Sequence, residues 1–289
     1  MAQILRGAPI AAALSEELAA RVKALHARGV VPTLAIVRVG ERPDDLSYER
    51  GACKRAEKVG VAVKRFVLPE GCSQEALLAV IDEVNEDTAI HGCLMFRPLP
   101  PTLDEAAACA VLDASKDVDG ITPGSLFGVF ANQPVGFPPC TAEAVIEVLV
   151  RSGIELTGAN VTVVGRSLVI GKPVAMLLQA RNATVTMCHT RTLDLAASCR
   201  AAEILVVAAG HAKAIGADCV TPGQAIVDVG INWDDAAGKL VGDVDFDAVE
   251  PIVGAITPVP GGVGAVTTAI LMKHVVEAAE CKMAHVGLD

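Results

Sequence analysis

Positive charge is scarce in this chain of 289 residues: 24 lysines and arginines face 34 aspartates and glutamates, a formal net charge of −10. Such a surface repels polyanions as a whole, and no basic cluster interrupts it. A nucleic-acid partner is therefore excluded, and any anionic ligand must be captured locally. Cysteine pairing motifs are missing as well. The nine cysteines show no C-x-x-C pair and no Cys/His metal spacing, and several stand inside apolar runs. They read as buried reduced thiols of a cytoplasmic protein, with disulfides the weaker alternative and no metal site. No stretch reaches the roughly 18 to 20 clean apolar residues that span a bilayer. The opening MAQILRGAPIAAALSEELAARVKALHARG mixes charge into a helical period where a signal peptide has an unbroken apolar core. No membrane partner is expected.

What is abundant is apolar: 52% of residues are hydrophobic and 20% charged, enough for a large core and for two domains. Apolar spacing of three and four predicts a helix over 11–28, which Gly29 stops, and PTLAIVRV (32–39) reads as a strand. The pattern repeats with a helix over 46–59, a strand over 61–68, a helix over 73–86 with Ser73 as N-cap, and a strand over 92–96. Residues 98–139 are rich in Pro, Gly and Asp and read as loops with one short helix. A second series follows, with helices over 141–152, 170–181, 193–200 and 266–279 and strands over 160–164, 184–188, 204–208 and 225–229. Alternation of this kind implies an α/β fold with mostly parallel sheets.

Within the second series, the β-branched run 161–164 ends in Gly165-Arg166-Ser167, and a helix opens at Gly171-Lys172-Pro173. Strand, glycine turn and helix N-terminus together form an anion site fit for a pyrophosphate. The turn departs from G-x-G-x-x-G, so an ordinary packing turn stays open as the alternative. A P-loop fails, because it needs glycine where Arg166 stands and a hydroxyl where Pro173 stands. The next strand runs into His189-Thr190-Arg191-Thr192 with no carboxylate to hold a ribose hydroxyl. That end suits the extra phosphate of NADP better than NAD, with Arg166 and Arg191 as cations and Ser167 and Thr190 as donors. Either arginine is otherwise a solvated surface charge.

Several segments in order resemble one family: S-Y-E-R-G-A-C-K (47–54), K-D-V-D-G (116–120), P-P-C-T (138–141), V-G-R-S-L-V-I-G-K-P (164–173), A-T-V-T-M-C-H-T-R-T (183–192), I-V-D-V-G-I-N (226–232), G-D-V-D-F (242–246) and I-T-P-V-P-G-G-V-G (256–264). The chain is similar to methylenetetrahydrofolate dehydrogenase/cyclohydrolase over nearly its whole length. The resemblance implies two domains with a cleft between them. One is an N-terminal folate-side α/β domain over 1–140, completed by a C-terminal helix in 266–289; the other is a Rossmann-like NAD(P)-binding domain over 141–265. It implies a folate substrate, with Asp119 holding the pterin ring, Tyr48 lining its slot and the loop Pro260-Gly261-Gly262 closing over the site. Cofactor contacts are implied at Gly165, Arg166, Ser167, Gly171, Lys172, His189, Thr190, Arg191, Thr192, Ile231, Gly264 and Thr267. A homodimer is implied too. Asp119 could instead be an Asx-turn residue beside Gly120, and Tyr48, the only tyrosine, simple packing.

Two departures stand out. The bifunctional family carries Tyr-x-x-x-Lys, whose lysine serves hydrolysis; here Ala52 occupies the lysine's place four residues after Tyr48, on the same helix face. Lys54 lies about 200° further round, and Arg55, better directed, is a poor proton carrier near neutral pH. In G-C-L-M-F-R-P-L-P (92–100), Phe96 takes the place of the glutamine that usually partners that lysine. Loss of both members of a polar pair leaves no lone buried amide and suggests a remodelled site. The expectation is NADP-dependent oxidation of a folate-bound methylene group with weak or absent cyclohydrolase activity. A fully bifunctional enzyme and a non-catalytic dinucleotide- or folate-binding regulator remain as alternatives.

Overall fold

Short β-branched and aliphatic runs form the strands of this protein, and longer runs with helical apolar spacing form the connections that return the chain to parallel neighbours. The computed structural model describes residues 1–235 and 238–286, the side chains of 285 and 286 excepted. The chain opens with β1 (Gln3–Ile4), α1 (Gly7–His26), β2 (Thr33–Val39), α2 (Pro43–Val59), β3 (Ala62–Leu68), α3 (Gln74–Glu86) and β4 (Gly92–Met95). Then come α4 (Glu105–Val111), a 3-10 turn at Ala114–Lys116, α5 (Pro123–Ala131), α6 (Cys140–Arg151), β5 (Asn160–Val164), α7 (Gly171–Gln179), β6 (Thr184–Cys188), α8 (Leu195–Arg200) and β7 (Ile204–Val207). A second 3-10 turn at Ala217–Cys219 leads to β8 (Ala225–Asp228), β9 (Asn232–Asp234), β10 (Lys239–Val241), α9 (Phe246–Val249), β11 (Ala255–Ile256) and α10 (Gly264–Val286).

These elements divide into two units, Met1–Ala12 with Thr141–Thr267, and Ala13–Cys140 with the chain from Thr268 onward. The second of these holds a three-stranded parallel sheet in the order β3-β2-β4. Its central strand, TLAIVRV, is buried along nearly its whole length, which explains the continuous apolar run. Ala35, Val37, Met95, Leu77, Ile81 and Ile90 build the core on one side. Ser73 caps α3 by accepting the N–H of Ala76 at 3.2 Å. Beyond α1, Gly29 adopts φ +79° while Val30 N–H returns to the carbonyl of Leu25, a helix stop that needs glycine.

The other unit is a six-stranded, all-parallel sheet in the order β1-β11-β8-β7-β5-β6. The crossovers from β5 run one way to β6 and, after β6, back across to β7, so the carboxyl end of β5 is a topological switch point where open α/β sheets bind ligands.

The structure differs from the sequence-based expectation in several places. Residues 98–139 contain two helices, α4 and α5, rather than one. The N-terminal dodecapeptide goes with Thr141–Thr267 and not with the folate-side segment, because β1 pairs in parallel with β11, Gln3 opposite Ala255 and Ile4 opposite Ile256. The last helix is longer than 266–279, and residues 287–289 of the expected C-terminal segment lie outside those described. Among the described residues no helix is long and apolar enough to cross a membrane. All nine cysteines are free thiols.

Candidate active site

Helix α2 carries Tyr48 and Ala52 one turn apart. Pro43 and the first-turn carboxylates Asp44 and Asp45 suit its N-terminus, and Gly60, at φ +86°, ends it. The helix is fixed in rotation by Glu49, a buried carboxylate whose Oε2 accepts from Arg38 Nε at 2.9 Å and whose Oε1 accepts from Arg65 Nε at 2.8 Å. Arg42 Nη1 ties the helix start to the carbonyl of Pro98 at 2.8 Å. With Glu49 turned toward the sheet, Ala52 is wholly buried at 0% exposure and Tyr48 is half-buried. Phe96 stands just past β4, its N–H still bonded to Val37, and meets Tyr48 edge to face with ring centroids 5.9 Å apart. Arg55 is committed elsewhere, donating from Nη1 to Ser15 Oγ at 2.8 Å, and Lys54 is exposed beside Arg50, Glu57 and Arg65.

The K-D-V-D-G loop divides its labour. Lys116 buries its ammonium at the carboxyl end of α3, donating to the carbonyls of Val84, Asn85 and Asp87 at 2.6, 2.7 and 2.8 Å, where a cation complements the helix dipole. Asp117 makes the turn, accepting the N–H groups of Ile121 at 3.0 Å and Thr122 at 2.7 Å. Gly120 has φ +69°, and a Cβ there would fall 2.3 Å from Pro139 N, so only glycine lets the Pro138-Pro139-Cys140 segment pack on the loop. The carboxylate that holds the backbone of this loop is thus Asp117. Burial, reinforced by the nearby Asp117, pushes the Asp119 carboxyl up to about 6, against the opposing pull of Arg97, Cys140 and His274. Burial and the charges of Asp119 and Cys140 hold the Tyr48 phenol well above its ordinary range.

Three neighbours of this group were not singled out from the sequence. Cys140 Sγ donates to the carbonyl of Val118 at 3.1 Å and lies 3.7 Å from His274 Nδ1. That nitrogen is 2.8 Å from the same carbonyl, which can only accept, so the proton sits on Nδ1. Phe137 stacks on the His274 ring at 4.9 Å. A histidine amid the apolar stretch Ile270 to Val276 was the signal available for His274.

In the other unit the expected dinucleotide residues gather at the carboxyl ends of adjacent strands. Gly165, after β5, donates its N–H to Cys188, the last residue of β6, at 2.9 Å. Gly165 has φ +128°, and a Cβ would lie 2.2 Å from the carbonyl of Ala208 after β7; a Cβ on Gly171 would lie 2.4 Å from the carbonyl of Gly165. The close approach of strand end and helix start therefore requires both glycines. Ser167 Oγ accepts from Ile170 N–H at 3.2 Å, and Lys172 N–H returns to the Ser167 carbonyl. His189 and Thr192 close a turn after β6, Thr192 Oγ1 accepting from His189 N–H at 2.9 Å, with Arg191 N–H donating to His189 Nδ1 at 3.1 Å. Arg166, Ser167, Lys172, Thr190 and Arg191 are all exposed, and the three cations form no ion pair among the described residues.

A cavity of about 330 Å³ in the same unit is lined by Asp228, Gly230, Ile231, Leu240 and the run Pro258–Ala265, which includes Pro260, Gly261, Gly262 and Gly264. Ile231 is 65% exposed, and its Cδ1 stands 3.7 Å from where a Cβ on Gly264 would be. Thr267 is buried, its hydroxyl turned to the carbonyl of Val263.

Two family models match this chain: tetrahydrofolate dehydrogenase/cyclohydrolase, catalytic domain, over residues 5–119, and tetrahydrofolate dehydrogenase/cyclohydrolase, NAD(P)-binding domain, over residues 139–283. The bifunctional protein FolD of Carboxydothermus hydrogenoformans is 54% identical over 281 residues, 97% of this chain and 98% of that protein. The crystal structure of the bifunctional enzyme FolD from Campylobacter jejuni matches with a TM-score of 0.94 at 36% identity, covering 98% of this chain and 100% of that one. The Trypanosoma brucei methylenetetrahydrofolate dehydrogenase-cyclohydrolase, complexed with NADP and an inhibitor, matches with a TM-score of 0.91 at 36% identity and 98% coverage of each chain.

Proposed function

The chain belongs to the tetrahydrofolate dehydrogenase/cyclohydrolase family, and from that premise we propose that it is an NADP-dependent methylenetetrahydrofolate dehydrogenase in which cyclohydrolase activity is weak or absent. Hydride leaves the methylene bridge of 5,10-methylenetetrahydrofolate for the nicotinamide ring of NADP⁺, giving the methenyl cation and NADPH. No proton moves in that step, so positioning and exclusion of water carry it without a protein acid or base.

Asp119 accepts hydrogen bonds from the pterin amino and ring nitrogens, and Tyr48 walls the slot. The turn from the strand end at Gly165 to the helix start at Gly171 takes the pyrophosphate, and the exposed Arg166 and Arg191 suit the adenosine phosphate. His189, Thr190 and Thr192 shape that end, and Ile231, Pro260–Gly262, Gly264 and Thr267 border the cofactor. The unit of 13–140 with the chain from Thr268 onward serves the folate, and the unit of 1–12 with 141–267 the dinucleotide. The protein acts as a homodimer in the cytoplasm, a compartment that suits nine free thiols.

Hydrolysis of the methenyl product needs an activated water. The observation that carries its loss is the methyl group of Ala52, fully buried one turn from Tyr48, with the Phe96 ring against that tyrosine. Arg55, the remaining cation that could replace the lysine, is turned to Ser15. The second reading, full bifunctionality, draws on the names of the relatives.

One assay separates them. Purified protein is mixed with methylenetetrahydrofolate and NADP⁺, and NADPH and methenyl-folate are followed together where spontaneous hydrolysis is slow. Equal accumulation of both is expected; NADPH without matching methenyl product would establish the bifunctional reading. No reduction of NADP⁺ or NAD⁺ would sink the dehydrogenase itself.

A further inference from the structure

Two buried carboxylates, Asp228 and Asp243, take no part in the chemistry above, yet between them their side chains accept four backbone N–H groups in the dinucleotide-binding unit. We infer that they form a positioning pair that locks the loops after β7, β8 and β10 into one wall and so sets the affinity for the dinucleotide. The inference rests on the reading that these strand ends hold NADP.

Asp228 closes β8 and is 3% exposed; Asp243 is 0% exposed. Oδ1 of Asp228 accepts the N–H groups of Gly230 at 2.9 Å and Asp243 at 3.1 Å, and Oδ2 accepts that of Val244 at 2.9 Å. Its backbone N–H donates to Thr257 Oγ1, just past β11, at 2.8 Å. Asp243 continues the chain: Oδ2 accepts Gly210 N–H, beyond β7, at 2.8 Å, and Oδ1 accepts Asn232 Nδ2 at 2.8 Å. Three separate segments, near 210, 228–232 and 242–244, are thereby joined through two side chains, and the backbone N–H of Asp228 adds the segment at 257.

The donors explain the residue type. Five N–H donors, four of the backbone and one of Asn232, point at the two side chains, and an ionised carboxylate is the side chain that only accepts. An amide would turn its NH₂ toward one of those donors. The approach is so close that a Cβ on Gly242 would fall 1.8 Å from Asp228 Oδ2, and one on Gly230 would fall 2.2 Å from Asp243 Oδ1. Both glycines are therefore part of the device. Burial pushes the Asp228 carboxyl up to about 6 despite its three backbone donors, so the ionised form is retained at a cost in stability. That cost fits a positioning role, since loops beyond the sheet have no ladder to hold them. Asp228 itself lines the 330 Å³ cavity, whose other walls are Ile231, Leu240 and Pro258–Ala265. Moving the carboxylate moves that wall.

The test uses full-length Asp228→Asn and Asn232→Ala. Trp233, the only tryptophan, is 61% exposed on β9 beside Asn232 and pairs with cavity-lining Leu240, so its fluorescence reports NADPH binding without turnover. Asp228→Asn is expected to weaken NADPH binding and raise the KM for NADP⁺ about tenfold, with the KM for methylenetetrahydrofolate within about twofold. Asn232→Ala, at a partly exposed position, is expected to give about a threefold effect in the same direction. If Asp228→Asn does not fold, Asn232→Ala decides alone. Unchanged NADPH affinity in the folded variants, or equal loss toward both substrates, would overturn the inference while the wild-type dehydrogenase activity stands. A wild-type protein that binds no NADPH would overturn the inference together with the function on which it rests.

Discussion

The ring of Phe96 stands at 84° to that of Tyr48, with the ring centroids 5.9 Å apart. On the proposed reading, an apolar ring beside Tyr48 and a buried methyl at Ala52 offer water no polar partner, so lysine and glutamine must be restored together. Ala52→Lys alone buries an ammonium without a partner and is expected to cost about 3 kcal/mol of stability without producing hydrolysis. The double variant Ala52→Lys/Phe96→Gln is expected to recover part of that loss and to make methenyl-folate fall behind NADPH. Thermal unfolding and the paired product assay check both halves.

As the proposed pterin acceptor, Asp119 is expected to give the reaction a pH dependence with a definite sign. Its pKa is raised from 3.8 to about 6, so the folded state resists ionisation and carries a penalty above pH 6 that fades as pH falls toward 4. The gap corresponds to about 3 kcal/mol at most. Asp119→Asn is therefore expected to raise the melting temperature at pH 8 and to do so less at pH 5, while abolishing tight folate binding. In the wild type, kcat/KM should rise with pH through about 6 as the acceptor form appears. A flat profile between pH 5 and 7.5 would count against Asp119 as the pterin acceptor.

The rotation of α2 depends on the ion triplet of Glu49, Arg38 and Arg65, of which Glu49 and Arg38 are buried. Glu49→Gln leaves the 6%-exposed guanidinium of Arg38 without its carboxylate and is expected to cost about 3 kcal/mol. Replacing both, as Glu49→Gln/Arg38→Met, should recover most of it. A double-mutant cycle on urea midpoints measures the coupling, and an additive cycle would show the pair to be unimportant.

Cofactor choice should reside in the two exposed arginines after β5 and β6. Arg166→Ala and Arg191→Ala are each expected to raise the KM for NADP⁺ about tenfold and to leave that for NAD⁺ within about twofold, since only the extra phosphate is lost. Initial rates with both cofactors give the answer. A parallel rise for NAD⁺ would move these side chains from the phosphate to some shared part of the ligand.

Much of this was legible in the residues themselves. The strands 160–164 and 184–188 were found to the residue, because β-branched runs there end on glycine or on a turn, and local sterics decide the outcome. Gly165 and Gly171 were readable for the same reason. What escaped was non-local. Strands β1 and β11 are two residues long and exist only through each other and β8. Helix α5, PGSLFGVFA, contains two glycines in a segment otherwise marked as loop, and is secured by Thr122, whose Oγ1 accepts Ser125 N–H at 3.1 Å. The division of work between Asp117 and Asp119 needs the backbone path of the turn, and the meeting of Asp228 with Asp243 spans fifteen positions of chain.

The pairing of Gln3 with Ala255 also sets an order of events during synthesis. The first strand to leave the ribosome is the last to find its place, since its neighbour is made some 250 residues later. Until then the edge of β11 cannot exist, and the six-stranded sheet stays unfinished while the three-stranded one already has all its strands. Both α1 and α10 also change unit partway along their length. Neither half can be cut out at a loop without severing a helix, so neither is expected to fold when expressed without the other.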